Sequence, residues 1–155
     1  MSLNISTYKK LVSSMLEIGT QVAALSIARG TIFHSTIFED IDHGKFFVVI
    51  GENESELVGF FFINSRINQF ISNKEEMLNL QIPIAPESYG FLTHESFLNC
   101  ASLTTIDKNK LASSIASGQT SIKGSLSRAD MNSVLEKVRS SKLYSKVERD
   151  SFFAE

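Results

Sequence analysis

Apolar residues recur at intervals of three and four along the start of the chain, at Tyr8, Leu11, Val12, Met15, Leu16 and Ile18. This spacing predicts a helix over residues 5–18, with Ser6 or Thr7 as its cap and Gly19 as its break. Thr20 then caps a second short helix, Gln21 to Arg29, which Gly30 closes. From Thr31 the period changes. Thr31–Phe38 is rich in β-formers, and Glu39–Gly44 is turn-like. Two apolar runs, Phe46–Ile50 and Leu57–Ile63, flank the polar segment Glu52–Glu56. They read as an antiparallel hairpin with both strands largely buried, and Gly59 marks a bulge or bend.

Residues 64–79 are polar and irregular, with a helical turn around Lys74–Leu80. Gln81–Pro86 is extended, because each proline biases the residue before it toward β. Ser96–Leu103 reads as one strand, Asp107–Ser114 as a short helix and Ser121–Leu126 as a brief strand. Ser127-Arg-Ala-Asp130 is a capping box with Asp in the Glu position, and Met131, Val134, Leu135 and Val138 form the stripe of the helix it opens. The tail after Ser145 reads as frayed. Five or so short strands closed by a terminal helix give a mainly β chain with helices, of the α+β class. The expected architecture is a small SH3-like antiparallel barrel in one domain, 1–155. Residues 1–29 are a helical extension, 30–126 the barrel and 127–148 the C-terminal helix.

A chain of 155 residues buries enough surface to fold without staples. Its one cysteine, Cys100, lies in an apolar run and reads as a buried, inert thiol. The opening Met1-Ser-Leu-Asn lacks a basic segment followed by an apolar one, so no signal peptide is expected. The longest apolar runs fall far short of the roughly 20 residues a membrane helix needs, and a cytoplasmic location is expected. The net charge of −2 gives no general basic footprint, so any nucleic acid must be held by a local groove. Phe supplies 12 of the aromatic residues, Tyr only 3 and Trp none, which places most of them in a core.

The segment Tyr89-Gly-Phe-Leu-Thr-His-Glu-Ser-Phe-Leu-Asn-Cys100, followed by Leu103-Thr-Thr-Ile-Asp-Lys-Asn-Lys-Leu111, has a specific order. A glycine turn leads to an acid–Ser pair, an apolar strand, and Ile-Asp-Lys opening a helix. Together with the hairpin before it and the helix after it, this stretch resembles the MazF/PemK family of toxins. The similarity spans roughly 30–138 and is best in Tyr89–Leu111. It implies an SH3-like barrel, a homodimer, metal-independent cleavage of single-stranded RNA, and inhibition by an antitoxin protein. The family places an Arg at the start of the strand that is Phe46–Ile50 here, and a Thr at the end of the one that is Leu57–Ile63. Lys45 and Asn64 stand at those positions, and Thr104 replaces a further family Arg.

Cleavage through a 2′-hydroxyl needs a base, an acid and positive charge at the phosphorus. Lys is a point charge without the guanidinium fork, and Asn donates a hydrogen bond but no proton at neutral pH. The expected catalytic set is therefore His43, Lys45, Ser65 and Arg66, with His43 moving protons, Lys45 and Arg66 holding phosphate, and Ser65 supplying a hydroxyl. Asn64 and His94 are the expected RNA contacts. Glu95-Ser96 reads as a structural turn. The three histidines lack metal-ligand spacing, and neither a metal nor another cofactor is expected. The alternative is a catalytically degenerate barrel that serves as a protein-interaction module or as a relative of topoisomerase-directed toxins.

Overall fold

The computed structural model describes residues 4–38 and 43–155. Helix α1 spans Ile5–Ala24 without interruption. Its cap is Asn4, whose side chain accepts the Thr7 N–H at 2.8 Å, rather than Ser6 or Thr7. Gly19 does not break it. An interior glycine costs a helix only about 1 kcal/mol, and Gly19 faces Ala116 of the later helix at a distance where even a β-carbon would make only ordinary contact, 3.9 Å. The two helices expected over 5–29 are thus one. Gly30, at φ +93°, serves the turn into the sheet instead. Its N–H donates to Val49 and its carbonyl accepts the Leu126 N–H.

Seven strands follow: β1 (Thr31–Ser35), β2 (Lys45–Glu52), β3 (Leu57–Asn64), β4 (Gln81–Ile84), β5 (Ser96–Asn99), β6 (Thr104–Asp107) and β7 (Thr120–Ser125). Of the turn expected over 39–44, residues Glu39–Asp42 lie outside the described residues. Every strand pairing is antiparallel. The hydrogen-bonded order is β4-β5-β3-β2-β1-β7, with β6 also on β3. Among the described residues no pairing carries the ladder from β7 back to β4. The β2–β3 hairpin is as expected. Its turn is held by the Asn53 side chain, which accepts the Ser55 and Leu57 N–H groups. The bulge lies on the β2 side, between Val49 and Gly51, with Gly51 facing Gly59.

The strand expected over Ser96–Leu103 stops at Asn99. The Asn99 side chain accepts the Ala101 N–H at 3.2 Å and turns the chain, and β6 begins at Thr104. As a result β3 has two short partners: β5 along its end and β6 along its start. Asp107 ends β6 and caps α3 (Lys108–Ala116), its carboxylate accepting the Lys110 N–H at 3.0 Å. Short helical turns at Gln69–Ile71 and in α2 (Glu75–Leu78) fill the polar segment before β4. Helix α4 (Arg128–Ser140) is capped by Ser127 as expected, with Met131, Val134, Leu135 and Val138 buried.

The tail after Ser145 is not frayed. Ser145 and Glu148 form a reciprocal capping box for α5 (Lys146–Glu148), and a π-helical turn, Arg149–Phe153, buries Phe152 and Phe153. Alternate residues of the central strands feed two cores. Val48, Ile50, Phe61 and Ile63 meet Val134, Val138 and Phe153 on one face. Phe47, Val49, Val58 and Phe60 meet Leu111 and Ala112 of α3 and Ile27 on the other. The molecule is therefore an α+β fold, an antiparallel sheet with helices over both faces.

Candidate functional site

The start of β2 and the end of β3 lie side by side, because the register pairs Phe46 with Ile63. Lys45 and Asn64 are thereby brought together although they are 19 positions apart, and the Lys45 ammonium donates to the Asn64 side-chain oxygen. The ammonium also stands 5.3 Å from the centre of the Phe62 ring. Burial lowers the Lys45 pKa from its ordinary value, since an apolar setting disfavours the charged form. Gly44, at φ +75°, sets the entry to β2. A β-carbon there would lie 2.6 Å from the His34 ring and 2.8 Å from the Ser35 carbonyl, so glycine alone fits.

The loop between β4 and β5 closes the other side. Asn64 pairs with Phe97, which places the first residue of β5, Ser96, beside the end of β3. Tyr89 anchors the loop to α4, and the Phe91 ring rests on Phe46 with centroids 5.0 Å apart. Between loop and hairpin lies a cleft of about 400 Å³. Lys45, Ser65, Thr93, His94 and Ser96 supply its polar groups, and Phe46, Ile63, Phe91 and Leu92 its apolar part. His94 Nδ1 lies 3.1 Å from the Thr93 hydroxyl, which orients the ring. The Ser96 hydroxyl donates to the His94 carbonyl at 3.2 Å, so the acid–Ser pair shapes the loop through its serine while Glu95 stays exposed.

Compared with protein-family models and with curated proteins, the chain matches none.

Of the residues the sequence singles out, Lys45, Ser65 and His94 line the cleft, and Asn64 touches it through Lys45. His43 and Arg66 are exposed and are not among its lining residues. The His43 backbone carbonyl instead accepts from, or faces, His34 Nε2 at 3.2 Å. Thr93, Phe46 and Phe91 also line the cleft; in the sequence the only signal for this is the aromatic Phe91 two residues after Tyr89. Among the described residues no group of three His, Cys, Asp or Glu side chains could hold a metal ion. No helix among them is long and apolar enough to cross a membrane. Cys100 is fully buried and burial raises its thiol pKa, which removes it from nucleophilic chemistry. The cleft thus combines one ammonium, one imidazole, several hydroxyls and an aromatic wall. That set can hold an anionic oxygen, exchange a proton and stack a planar ring.

Proposed function

We propose that the chain is a MazF/PemK-like protein that binds single-stranded RNA in this cleft and cleaves it without a metal. The convergence of Lys45, Ser65 and His94 around one partly aromatic concavity carries the reading. On this reading the antiparallel sheet stands for the family's SH3-like barrel. A phosphate sits against Lys45 and the Ser65 hydroxyl, and a base stacks on Phe91. In the tautomer whose Nδ1–H donates to Thr93, His94 presents a bare Nε2 that takes the proton of the 2′-hydroxyl. The 2′-oxygen attacks phosphorus and the bond to the 5′-oxygen breaks. Lys45, whose proton burial loosens, supplies the proton to that leaving oxygen. The products are a 2′,3′-cyclic phosphate and a 5′-hydroxyl.

The test is incubation of mixed-sequence single-stranded RNA with the protein in excess EDTA. Wild-type protein is expected to give fragments with cyclic-phosphate ends. Lys45→Ala and His94→Ala are each expected to slow cleavage by about 100-fold or more at unchanged melting temperature. RNA left intact by the wild type overturns the cleavage.

A second reading is a non-cleaving module. One observation favours it: the Lys45 ammonium is already engaged by the Asn64 oxygen and the Phe62 ring. It predicts intact RNA, with any binding in the cleft weakened by Lys45→Ala.

A further inference from the structure

Helix α1 carries Tyr8, Leu11, Met15, Ile18 and Val22, with Leu25 at its C-cap, in steps of three and four residues. This is the a/d repeat of a two-stranded coiled coil. All six are exposed, from 50% at Leu11 to 84% at Leu25, and α1 has no fully buried residue. The seam does not attach the helix to the rest of the molecule. A different side does so: Gly19 faces Ala116 of α3, and Ala23 and Ala24 sit against the core beneath.

We propose that α1 pairs along this seam with α1 of a second copy of the chain. Area is the first reason. The six seam residues and the neighbouring Ile5 and Leu16 are all at least half exposed. At roughly 100 Å² each they offer about 800 Å², which is what one partner contributes to an interface of standard size. Charge is the second. The seam is flanked by Thr7, Ser14 and Gln21 on one side and by Val12 and Gly19 on the other. Complementary charges at these flanks specify unlike partners and like charges oppose self-pairing. Neither is present, so an identical helix is the matching surface. Preorganisation is the third. Packing on α3 already fixes the helical backbone, so pairing orders mainly side chains. A membrane surface fits less well, because the only basic residues of α1 are Lys9 and Lys10, and interfacial helices are rich in Lys and Arg.

This proposal rests on the exposed seam and is independent of the RNA reading. Sedimentation equilibrium of the full chain tests it. Wild-type protein is expected to be a dimer at micromolar concentration. Met15→Lys/Ile18→Lys and Met15→Glu/Ile18→Glu are each expected to be monomers, with association weakened at least about 100-fold, at an unchanged circular-dichroism spectrum and with a melting temperature that no longer rises with protein concentration. Mixing the two variants is expected to restore a dimer through opposite charges across the seam. A wild-type monomer at 100 μM on the order of the highest usual working range overturns the proposal, as does a dimer that survives both double substitutions. So does a monomer that binds anionic phosphatidylserine vesicles through α1, which assigns the face to a membrane.

Discussion

The Tyr89 hydroxyl joins the cleft loop to the start of α4. It accepts the Ser127 N–H at 3.1 Å and donates to the Asp130 carboxylate at 2.5 Å. Ser127 Oγ in turn accepts the Asp130 N–H at 3.1 Å. The capping box read from Ser127 and Asp130 is therefore closed through a third residue, because the short Asp side chain reaches the phenol rather than its own cap N–H. Burial and the bond to Asp130 raise the Tyr89 pKa, so the phenol stays a donor at neutral pH. Tyr89→Phe is expected to cost about 1–2 kcal/mol in urea denaturation, since it leaves two partly buried partners without the hydroxyl. It is also expected to loosen any ligand held by His94, which the same loop carries. Ser127 and the Tyr89 segment were both legible in the sequence. Their contact was not, because 38 positions separate them and no local period links them.

At the scale of elements, the final turn shows how distant partners order a segment that looks unstructured. Arg139 Nε donates to the Phe153 carbonyl at 2.6 Å, and Arg29 Nη2 donates to the Ala154 carbonyl at 2.6 Å. The strand glycines make room for it: a β-carbon on Gly51 would stand 2.3 Å from the Phe152 carbonyl oxygen, and one on Gly59 would stand 2.8 Å from the Phe152 ring. Phe153 is fully buried against Phe61 and Tyr144. Phe153→Ala is expected to lower stability by about 3–5 kcal/mol, measured by urea or thermal unfolding. An unchanged stability would mean that the tail is detached in solution. Residues 145–151 are polar apart from Val147, which is exposed, and the apolar pair Phe152-Phe153 has no periodic partner nearby, so the pattern pointed to solvent. In the same way β6 was hidden. A strand of four residues carries almost no period of its own, and its pairing with β3 defines it.

At the scale of the whole molecule, the buried acids set a limit at high pH. Burial raises the pKa of Cys100 above its ordinary 9.0 and those of Tyr89 and Tyr144 above 10.0. Above pH 9 the folded state keeps protons that the unfolded chain releases, so the unfolded state binds fewer and stability falls as pH rises. Lys45 acts in the opposite direction, because its lowered pKa lets the folded state lose a proton first between that value and 10.5. It is one half-exposed group against three, so the net slope is downward. Urea denaturation from pH 8 to 11 is expected to show falling stability, with the fully buried Cys100 contributing up to about 1.4 kcal/mol per pH unit and the two less completely buried phenols less. Cys100→Ala is expected to remove the part that begins near pH 9. A flat profile would show that these groups titrate freely in the fold.

Most of the local structure of this protein was set by the sequence alone: the helical spacing of α1, the β2–β3 hairpin, the short helix after Ile106, the Ser127 cap, and the stripe of α4. Each depends on residues within a few positions of one another, where backbone propensity, capping and periodicity act directly. Lys45, Ser65 and His94 were legible as candidates by residue type and by resemblance. The tertiary structure alone decided that these three share a cleft while His43 and Arg66 lie outside its lining, that the sheet carries helices on both faces, and that the tail is buried. Those outcomes follow from strand register and from contacts across up to 125 positions, such as Arg29 with Ala154, which no local pattern encodes.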